Sequence, residues 1–484
     1  MSGTIRVMFI MALLVYAITV YGVSYDLNSY QTPAHIERNL DLSFKGSGNQ
    51  TKRDSTLDKS HTTDLNVTFS EERYTRRCYL LWESSLAGAS DWRRHNYDEN
   101  PEEYYDNFHL EPAFSFSGEF VPYILGNWFA HSRFAGDWRG YFSNNESLLN
   151  DTSYDSETDK NTYILNAELG SGYGRVENVS KARDAIYFLD ELESEGLLCR
   201  VVEIEEVTRL ADLLVSLDQL HLFDSRLQQK EETRRIFALL VEAGLLKEHD
   251  MEAILVIQDI NRYTGMYDRY SGWEVYPLAY LDYYKFDSDS ESKYDYTDGS
   301  SLDRKVYTDR TEKDQTTGSA VRFRYARNLG KNWQLDFNSE LGFCYKDYRY
   351  DYSKEEIILR DVTSDVMEYD LEGKRMEMYL AFNWYPDTRT RLRTGLDYIY
   401  VKDEGDGLEA DEDERIEYDI NYEYQYIYVY SSCSYYISPR FNATLSVSLS
   451  NQMNRGGYSE QSAASYKRDT FKFGYHLGFS YKIF

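Results

Sequence analysis

The chain has 484 residues, of which 82 are acidic and 53 are basic, and its net charge is −29. A nucleic-acid partner is not expected, because phosphate neutralisation needs clustered Lys and Arg. Mean hydropathy is −0.64, and after the N-terminus no apolar run is long enough for a membrane-spanning helix. The 47 tyrosines and 23 phenylalanines are unusual for a soluble enzyme and typical of membrane interfaces.

The first residues have the layout of a targeting sequence. Arg6 precedes an apolar run over 7–20, and small residues follow at Gly22 and Ser24. A basic residue, a short apolar stretch and a small-residue junction together predict a secretory signal peptide over 1–24.

Residues 416–430 alternate between aromatic or apolar side chains and polar ones. Successive side chains of a strand point to opposite sides, so this period predicts a β-strand whose two faces meet different surroundings. We expect lipid on the aromatic side and water on the side of Glu417 and Asp419. The tyrosines of the predicted lipid side are Tyr418, Tyr422, Tyr424, Tyr426, Tyr428 and Tyr430.

The same alternation recurs in strand after strand. In the last strand the predicted outer side chains are Phe471, Phe473, Tyr475, Leu477 and Phe479. In the strand before it they are Phe441, Ala443, Leu445, Val447 and Leu449. This repeated pattern resembles the bacterial outer-membrane β-barrel class. The resemblance implies an all-β, antiparallel transmembrane barrel in the bacterial outer membrane, in contact with lipid and lipopolysaccharide. A secreted β-sandwich or propeller is the alternative, and it would need its apolar faces to match across two layers.

Short and long connections alternate along the chain, which predicts about 14 strands, roughly six before a central insert and eight after it. Barrels of this class have short periplasmic turns and long outer loops. Short turns are predicted near Glu71, Gly118, Gly330 and 385–388. Outer loops are predicted at 47–60, 88–105, 143–160, 287–317, 346–374, 401–415 and 452–466.

Between residues 180 and 261 the apolar period changes from that of a strand to that of a helix. Ser180 and Asp250 suit helix N-caps, and Gly196 and Gly244 suit helix ends. The alternation of connections puts this helical insert on the periplasmic side, where we expect it to fold separately and to occlude part of the pore. The predicted division of the chain is a signal peptide over 1–24, barrel over 25–178, helical insert over 179–265 and barrel over 266–484.

Charged side chains on the opposite parity of the strands are the predicted lining of the lumen. With a turn centred on Gly330, Arg324 would lie across from Asp336 and form a cross-strand ion pair. Such charges either stiffen the wall as a self-neutralising ladder or form a constriction that selects charged solutes. The candidates are Arg322, Arg324, Asp336, Glu340, Arg375, Glu377, Arg391, Arg393, Asp397, Glu417, Asp419, Glu423 and His476.

A catalytic site is conceivable but is not predicted. His109, Glu111, Ser115 and Ser117 share one parity of a strand, and His131 of a neighbouring strand could complete a Ser/His/acid set. There is no G-x-S-x-G elbow, and ordinary luminal polar residues are the simpler interpretation. We therefore expect no catalytic residues and no enzyme.

Three further patterns have simple structural interpretations. The acidic segment 403–414 could bind a divalent cation, but it lacks EF-hand spacing and suits a solvated loop. The glycines over 170–174 predict either a kink or a groove that accepts a helix. The four cysteines, at 78, 199, 344 and 433, have neither paired nor metal-like spacing. No metal, cofactor or disulfide is expected.

The sequence favours an outer-membrane channel that passes small polar solutes, with the helical insert as its gate. The first alternative is a structural or assembly anchor whose helical domain binds a periplasmic protein partner. An outer-membrane hydrolase is less favoured, because it needs a Ser/His/acid cluster in the folded wall.

Overall fold

The computed structural model describes residues 25–53, 56–97, 103–149, 152–218, 225–263, 267–296, 304–356, 361–387, 389–410, 415–438, 441–459 and 466–481. The predicted signal peptide lies outside these residues. Within them, 14 strands form one antiparallel sheet in which each strand is hydrogen-bonded to its neighbours in the sequence. Among the helices that the structure describes, none is long and apolar enough to cross a membrane.

The strands are β1 (His35–Arg53), β2 (Thr56–Thr75), β3 (Cys78–Tyr97), β4 (Tyr104–Leu125), β5 (Trp128–Leu149), β6 (Thr152–Asn178), β7 (Tyr270–Tyr296), β8 (Arg304–Leu329), β9 (Trp333–Glu356), β10 (Asp361–Trp384), β11 (Thr390–Ala410), β12 (Arg415–Ser438), β13 (Phe441–Ser459) and β14 (Tyr466–Tyr481). Four helices lie between β6 and β7, namely α1 (Ser180–Ser194), α2 (Ile204–Asp218), α3 (Ser225–Glu242) and α4 (Met251–Asn261). These helices and their connections, residues 180–261, are called the helical insert below.

The sheet has an apolar face and a polar face. Directly paired residues of an antiparallel sheet share a face, so the strand registers carry each assignment from one strand to the next. On the apolar face, Leu341 of β9 pairs with Val321 of β8 and with Met376 of β10. On the polar face, Arg322 of β8 pairs with Tyr276 of β7 and with Glu340 of β9. Large apolar side chains of the first face are exposed, as in Leu341 (54%) and Phe343 (65%).

The sheet curls toward its polar face. Nη2 of Arg175, near the end of β6, lies 2.5 Å from the hydroxyl of Tyr74 on β2. In a flat sheet these strands would be about 19 Å apart, because neighbouring strands are separated by about 4.8 Å. Gly174, with a φ of 116°, bends β6 just before Arg175. The polar face is therefore concave.

The strands are longer than a membrane requires. They contain 16 to 27 residues, whereas a membrane-spanning strand needs roughly 9–11. The apolar face is rich in large apolar residues only in the half near the short turns. In the other half both faces are polar and the ladder continues, as in the pairing of Asp347 with Asp370. We call these parts the strand extensions.

The predicted long loops are mostly wrong, because they coincide with these strand extensions. Residues 346–356 belong to β9 and residues 361–374 to β10, with only a short connection between them. In water both faces of a hairpin are solvated, so the apolar alternation disappears while the backbone hydrogen bonds remain. The tips at 54–55, 98–102, 150–151, 297–303, 357–360, 411–414 and 460–465 lie outside the described residues.

Two of the predicted short turns are displaced. Gly118 lies inside β4, and the turn follows at Gly126, which has a φ of 59°. Glu71 lies inside β2, and the turn follows at residues 76–77. The connection from β8 to β9 does contain Gly330, with a φ of 72°. A residue in this left-handed region is normally glycine.

The helix ends are predicted better than the helix starts. Gly196 and Gly244, each with a φ of 69°, end α1 and α3, as C-terminal glycines commonly do. Asp250 caps α4 by accepting from the backbone N–H of Ala253. The predicted N-cap at Ser180 is wrong, because Ser180 is the first residue of α1 and its hydroxyl accepts from the backbone N–H of Arg269.

Candidate functional site: the polar face and the helical insert

A charged network occupies the polar face where β6, β7, β8 and β9 meet. The Arg322 guanidinium is 2.9 Å from Glu168 on β6 and 2.7 Å from Glu340 on β9. It also donates to the hydroxyl of Tyr276 at 3.3 Å. One cation thus joins carboxylates from two strands that are not neighbours of each other. The net stabilisation from such a shared, partly buried network is small, because desolvation offsets much of the attraction between the charges.

Arg324 does not pair with Asp336 as predicted. The connection between β8 and β9 is centred on Lys331, so Arg324 lies opposite Asn338 and Asp336 lies opposite Ala326. Arg324 instead contacts Glu274 of β7 at 3.2 Å. In a hairpin, the two residue numbers of each pair add up to twice the number of the central residue. A turn centred on residue 331 and not on 330 therefore shifts every predicted partner by two positions.

Ten of the 13 lumen candidates lie on the polar face by register. Arg375 and Glu377 contact each other at 2.5 Å on β10. Asp336 accepts from the side chains of Gln334 and Asn383. The ten are Arg322, Arg324, Asp336, Glu340, Arg375, Glu377, Arg391, Arg393, Asp397 and His476.

The remaining three candidates, Glu417, Asp419 and Glu423, are on the other face. On β12, Ile427 pairs with Tyr398 and Val429 pairs with Leu396, both on the apolar face. The odd-numbered residues of β12 therefore face the apolar side, which contradicts the predicted parity of this strand. The three acidic residues lie on the strand extension, above the apolar part. Glu423 faces Arg455 at 3.7 Å there.

The tyrosines of β12 consequently line the polar face. Tyr428 pairs with Asp397 of β11 and Ser450 of β13, and Tyr430 pairs with Gly395 and Ser448. Ring centroids of Tyr424, Tyr426, Tyr428 and Tyr430 follow one another at 6.4, 6.1 and 5.4 Å, with interplanar angles of 7°, 10° and 26°. We call these four residues the tyrosine row. All four rings are partly exposed.

The connection between the helical insert and β7 is fixed to the β8–β9 turn by a buried arginine that the sequence did not reveal. Arg269, which precedes β7, is completely buried. It donates to Asn328 Oδ1 at 2.8 Å and to the carbonyls of Lys331 and Trp333 at 3.2 and 2.8 Å. Burial, together with the nearby charge of Arg183, lowers the pKa of Arg269 to about 9, so the side chain remains a cation at neutral pH.

Arg183 on α1 makes a second buried contact with the turns. Its guanidinium donates to the carbonyl of Asp387 at 3.2 Å and lies 5.0 Å from the ring centroid of Tyr385. The ring of Tyr385 also receives Arg269, at 4.5 Å. An aromatic ring between two cations stabilises both through its negative face. Isolated arginines in a helical sequence carry no signal of this role.

Other contacts spread along the edge of the sheet that carries the short turns. Lys331 reaches Asp190 of α1 at 2.5 Å, and Arg389 reaches Asp259 of α4 at 3.1 Å. Near β1, the hydroxyl of Tyr30 donates to Asp212 of α2 at 3.1 Å. The helical insert thus touches the β8–β9 turn, the β10–β11 turn and the segment before β1.

The segment before β1 completes the core of the helical insert. Tyr25, Leu27 and Tyr30 are buried among apolar residues of the helices, including Leu210 and Ile257. The residues 180–261 are therefore not a self-contained unit, since their core also uses three side chains from 25–30. A short apolar segment before the first predicted strand was the available signal.

A cavity of about 480 Å³ lies between the helical insert and the polar face of β1 to β8. Its wall includes the pair of His131 and Glu119, 3.4 Å apart, and the pair of Glu274 and Arg324. From the insert, Lys181 contributes its ion pair with Asp218 at 2.7 Å. Although burial opposes the charge, Asp218 and Asp184 raise the pKa of Lys181. The cavity is charged and is bounded by both parts of the molecule.

The conceivable catalytic residues are not brought together. His109 on β4 and His131 on β5 are about 40 Å apart along the β4–β5 hairpin, at about 3.4 Å per residue. His109 contacts the Tyr141 hydroxyl at 2.9 Å, and Ser115 contacts the Ser85 hydroxyl at 2.6 Å. Ser117 donates to Glu83 at 3.3 Å. Ser115 and Ser117 are hydrogen-bonded to Ser85 and Glu83 and not to a histidine, so these residues do not form a pair of nucleophile and base.

The other sequence patterns also have structural roles. Nearest to Gly172 are Tyr276 and Val275 of β7 and Phe129 of β5, so the glycine-rich segment packs against neighbouring strands and does not accept a helix. The acidic segment forms part of β11 up to Ala410, and residues 411–414 lie outside the described residues. The described part of the chain contains no cluster of three metal-donor residues. Cys78, Cys199, Cys344 and Cys433 are free thiols.

No protein-family model and no curated protein matches this chain. Among solved structures it is similar to the CymD monoaromatic hydrocarbon channel, with 7% identity over 94% of this chain and 90% of that one and a TM-score of 0.27. It is also similar to the transport unit of the autotransporter AIDA-I from Escherichia coli, with 9% identity, 92% and 97% coverage and a TM-score of 0.22. The outer membrane protease OmpT from Escherichia coli has 11% identity, 44% and 83% coverage and a TM-score of 0.20.

Such distant likenesses carry no argument about function. The assignment of the fold rests on the molecule itself, namely on an antiparallel sheet in sequence order, a concave polar face and an exposed apolar face. Open sheet edges are not tolerated in lipid, and strands that present apolar residues to lipid occur in barrels. These features resemble those of the outer-membrane β-barrel class, and no specific family is identified.

Proposed function

We propose that the sheet closes by pairing β1 with β14, giving a barrel of 14 strands whose concave polar face lines a lumen. The two terminal strands support this closure. Both expose large side chains on the apolar face of the sheet, such as Leu42 (71%) on β1 and Phe473 (61%) on β14. Their unpaired backbone groups would each cost several kcal/mol in lipid. In the closed barrel the apolar face contacts outer-membrane lipid and lipopolysaccharide.

The function that the geometry supports best is a channel for small polar solutes, with the helical insert as a plug or gate. This proposal rests on the contacts that the insert makes with the β8–β9 turn, the β10–β11 turn and the segment before β1. In a closed barrel these points lie around the rim, so a body that touches all of them lies across the opening. The charged network on the polar face supports passage of polar or charged solutes.

Conductance in planar bilayers tests this function. The full chain should form low-conductance channels, and replacement of 180–261 by a short Gly/Ser connector should raise the conductance. Because Tyr25, Leu27 and Tyr30 lose their core in that deletion, a point variant is the sharper test. Arg269→Met removes the three hydrogen bonds that fix the connection between the insert and β7 to the rim, and this loosening should increase the frequency of open events.

Arg209→Met is the matched control, because Arg209 pairs with Glu242 inside the insert and touches no turn. It should conduct like the unmodified chain. A heat-resistant barrel that conducts no differently after deletion and after Arg269→Met would contradict the gate.

Orientation follows from the class, in which short turns are periplasmic. In intact cells, a cysteine at Asp406 on the extension of β11 should react with a membrane-impermeant maleimide, whereas one at Glu231 on α3 should not. Labelling at both positions would overturn the proposed orientation.

A partner-binding anchor is the second candidate, and one observation favours it. The helical insert exposes apolar side chains that do not contribute to its core, namely Leu227 (57%), Met251 (68%) and Leu255 (61%). Exposed apolar groups of this size commonly mark protein contacts. If the conductance tests fail while the barrel assembles, a periplasmic protein partner for this surface becomes the better explanation. Absence of enzymatic activity stays a prediction.

A further inference from the structure

We propose that Arg391 and Arg393 of β11 bind the phosphate group of a solute in the lumen, which names the solute class of the proposed channel and rests on that function. Both side chains lie on the polar face, two residues apart on one strand. They are at the start of β11, beside the β10–β11 turn. We call these two residues the β11 arginines.

The β11 arginines lack the counter-charge that other arginines of this face have. Neither forms an ion pair with a carboxylate in the part of the chain that the structure describes, and Nε of each is buried without a hydrogen-bond partner. By contrast, Arg322, Arg324 and Arg375 each contact a carboxylate at 3.2 Å or less. Two cations roughly 7 Å apart along a strand repel each other, and buried donors are normally satisfied. The two guanidiniums are therefore suited to an anionic ligand.

The carboxylates in this region do not supply the missing contact. Asp336 accepts from two side-chain amides, one of β9 and one of β10. Asp397 shares the polar face of β11, but Gly395 separates it from the arginines and the ring of Tyr430 lies over that glycine. Asp268, before β7, is near the first arginine but beyond ion-pair distance.

Aromatic rings lie beside both guanidiniums. The Arg391 guanidinium is 5.0 Å from the ring centroid of Tyr267. That of Arg393 is 5.5 Å from the centroid of Tyr379 and 5.9 Å from that of Tyr430. Attraction between a cation and a ring stabilises the charge but satisfies no N–H donor. The rings thus hold the two side chains in place and leave donors for a ligand.

Hydroxyl groups border the β11 arginines on the side of β12. Ser434 of β12 pairs with Arg391. Ser432 pairs with Arg393 and, on its other side, with Ser446 of β13. On the described polar face of β12, β13 and β14 every side chain is uncharged or basic. In a chain with a net charge of −29, this acid-free region favours an anion.

A phosphate group matches this combination of two guanidiniums and several hydroxyls. It carries about −1.5 to −2 charges at pH 7 and three strongly accepting oxygens, so it can accept from both arginines and from a serine together. The planar fork of arginine fits phosphate oxygens in pairs. A carboxylate has one charge and two oxygens and would leave one arginine without a partner. A neutral solute would leave both charges unpaired.

Calorimetric titration of the full chain in detergent with inorganic phosphate tests the proposal directly. We expect saturable binding, weakened by at least about tenfold in the Arg391→Met/Arg393→Met double variant, because charge-assisted hydrogen bonds to both guanidiniums are lost. Arg393→Lys keeps the charge and loses the fork. It should bind phosphate more weakly than the unmodified chain and more tightly than Arg393→Met.

Arg139→Met is the control. Arg139 lies on the polar face of β5, on the parity of His131, and its guanidinium contacts Asp137 at 2.9 and 3.3 Å. This variant removes one positive charge from the same face without altering β11, so it should bind phosphate like the unmodified chain. Heat-modifiable migration on gels reports whether each variant folds, and Arg393→Lys keeps the test decisive if the double variant does not.

Glycerol phosphate in the same titration distinguishes the two sources of a phosphate group. Tighter binding of glycerol phosphate than of inorganic phosphate assigns the site to phosphate esters. Equal or weaker binding of glycerol phosphate assigns it to free phosphate.

The phosphate site is overturned by any of four results: no saturable binding by a folded chain, unchanged binding by the folded double variant, an equal loss in Arg139→Met, or tighter binding of acetate than of phosphate. Conductance is measured separately on the same samples. A chain that binds phosphate through the β11 arginines but does not conduct refutes the channel and retains the binding site. A chain that conducts without such binding refutes the binding site and retains the channel.

Discussion

Strands β12 and β14 have similar sequence patterns, but their aromatic side chains lie on opposite faces of the sheet. Both alternate aromatic residues with polar ones, yet Phe473 and Tyr475 of β14 belong to the exposed apolar face, whereas Tyr428 and Tyr430 of β12 belong to the polar face. Phenylalanine and leucine have no polar group to satisfy, so a row that contains them favours lipid. A row of tyrosines carries one hydroxyl per ring and suits a solvated wall equally well.

The neighbouring strands decide the orientation of β12. Ile427 and Val429 alternate with the tyrosines and pair with Tyr398 and Leu396 of β11. Their two apolar side chains continue the apolar face across the strand, and the tyrosines occupy the remaining parity. A one-residue shift would reverse both faces together. The face of a strand that carries more aromatic rings is therefore not always the face in lipid.

The largest expected effect comes from charges placed on the two faces of β12. Val429→Arg should destabilise the protein by about 2–4 kcal/mol, because it puts a cation into lipid, whereas Tyr428→Arg should cost less than about 1 kcal/mol. Chemical unfolding of lipid-reconstituted protein gives both values. The reverse order would mean that the tyrosines of β12 face lipid, as the sequence predicted.

Leu445 and Ser446 of β13 provide the reference pair. Leu445 is exposed on the apolar face, and Ser446 pairs with His476 on the polar face. Leu445→Arg should cost about 2–4 kcal/mol, with little cost for Ser446→Arg. Equal effects at the two positions would mean that the apolar face does not contact lipid.

A glycine substitution sharpens the position of the tyrosine row. Gly395→Ala should destabilise the protein by roughly 1–3 kcal/mol, because the new methyl group collides with the ring of Tyr430. Gly88→Ala is the control, since the structure has no neighbouring atom within 4 Å of a methyl group there. Thermal unfolding of the two variants gives the difference. Two equal melting temperatures would argue against the pairing of Gly395 with Tyr430.

Reactivity toward a water-soluble maleimide distinguishes the faces without altering stability much. With the four native cysteines replaced by serine, a cysteine at 428 should react and one at 429 should not, because water reaches the polar face and lipid covers the other. Mass spectrometry measures the modified fraction. Faster reaction at 429 than at 428 would contradict the assigned faces.

The smallest expected effect is a change in ion selectivity. Asp397→Asn removes a carboxylate from the polar face and should shift the reversal potential toward anions, while Glu423→Gln on the other face should leave it unchanged. Reversal potentials under a salt gradient provide the measurement. A shift caused by Glu423→Gln alone would return that residue to the lumen.

The faces of most strands could be predicted from the sequence, because the same alternation repeats from strand to strand. Alternation over β9 to β11, β13 and β14 predicted the correct apolar side chains, and the change of period at residue 180 predicted the helices. The extensions could not be predicted, because hairpins in water need no apolar alternation. The partner of Arg324 could not be predicted either, since it depends on whether the turn is centred on Gly330 or Lys331.

The sequence alone predicted an antiparallel sheet of about 14 strands and the face of most of its residues, because lipid and water impose a period that accumulates over many strands. Only the tertiary structure reveals which face the tyrosine row occupies, how Arg183 fixes the helical insert to the β10–β11 turn, how Arg269 fixes the connection to β7, and which core contacts the insert makes with residues 25–30. These depend on single pairings between residues far apart in the chain. No local pattern records such pairings, because their energy arises only when the strands and helices meet.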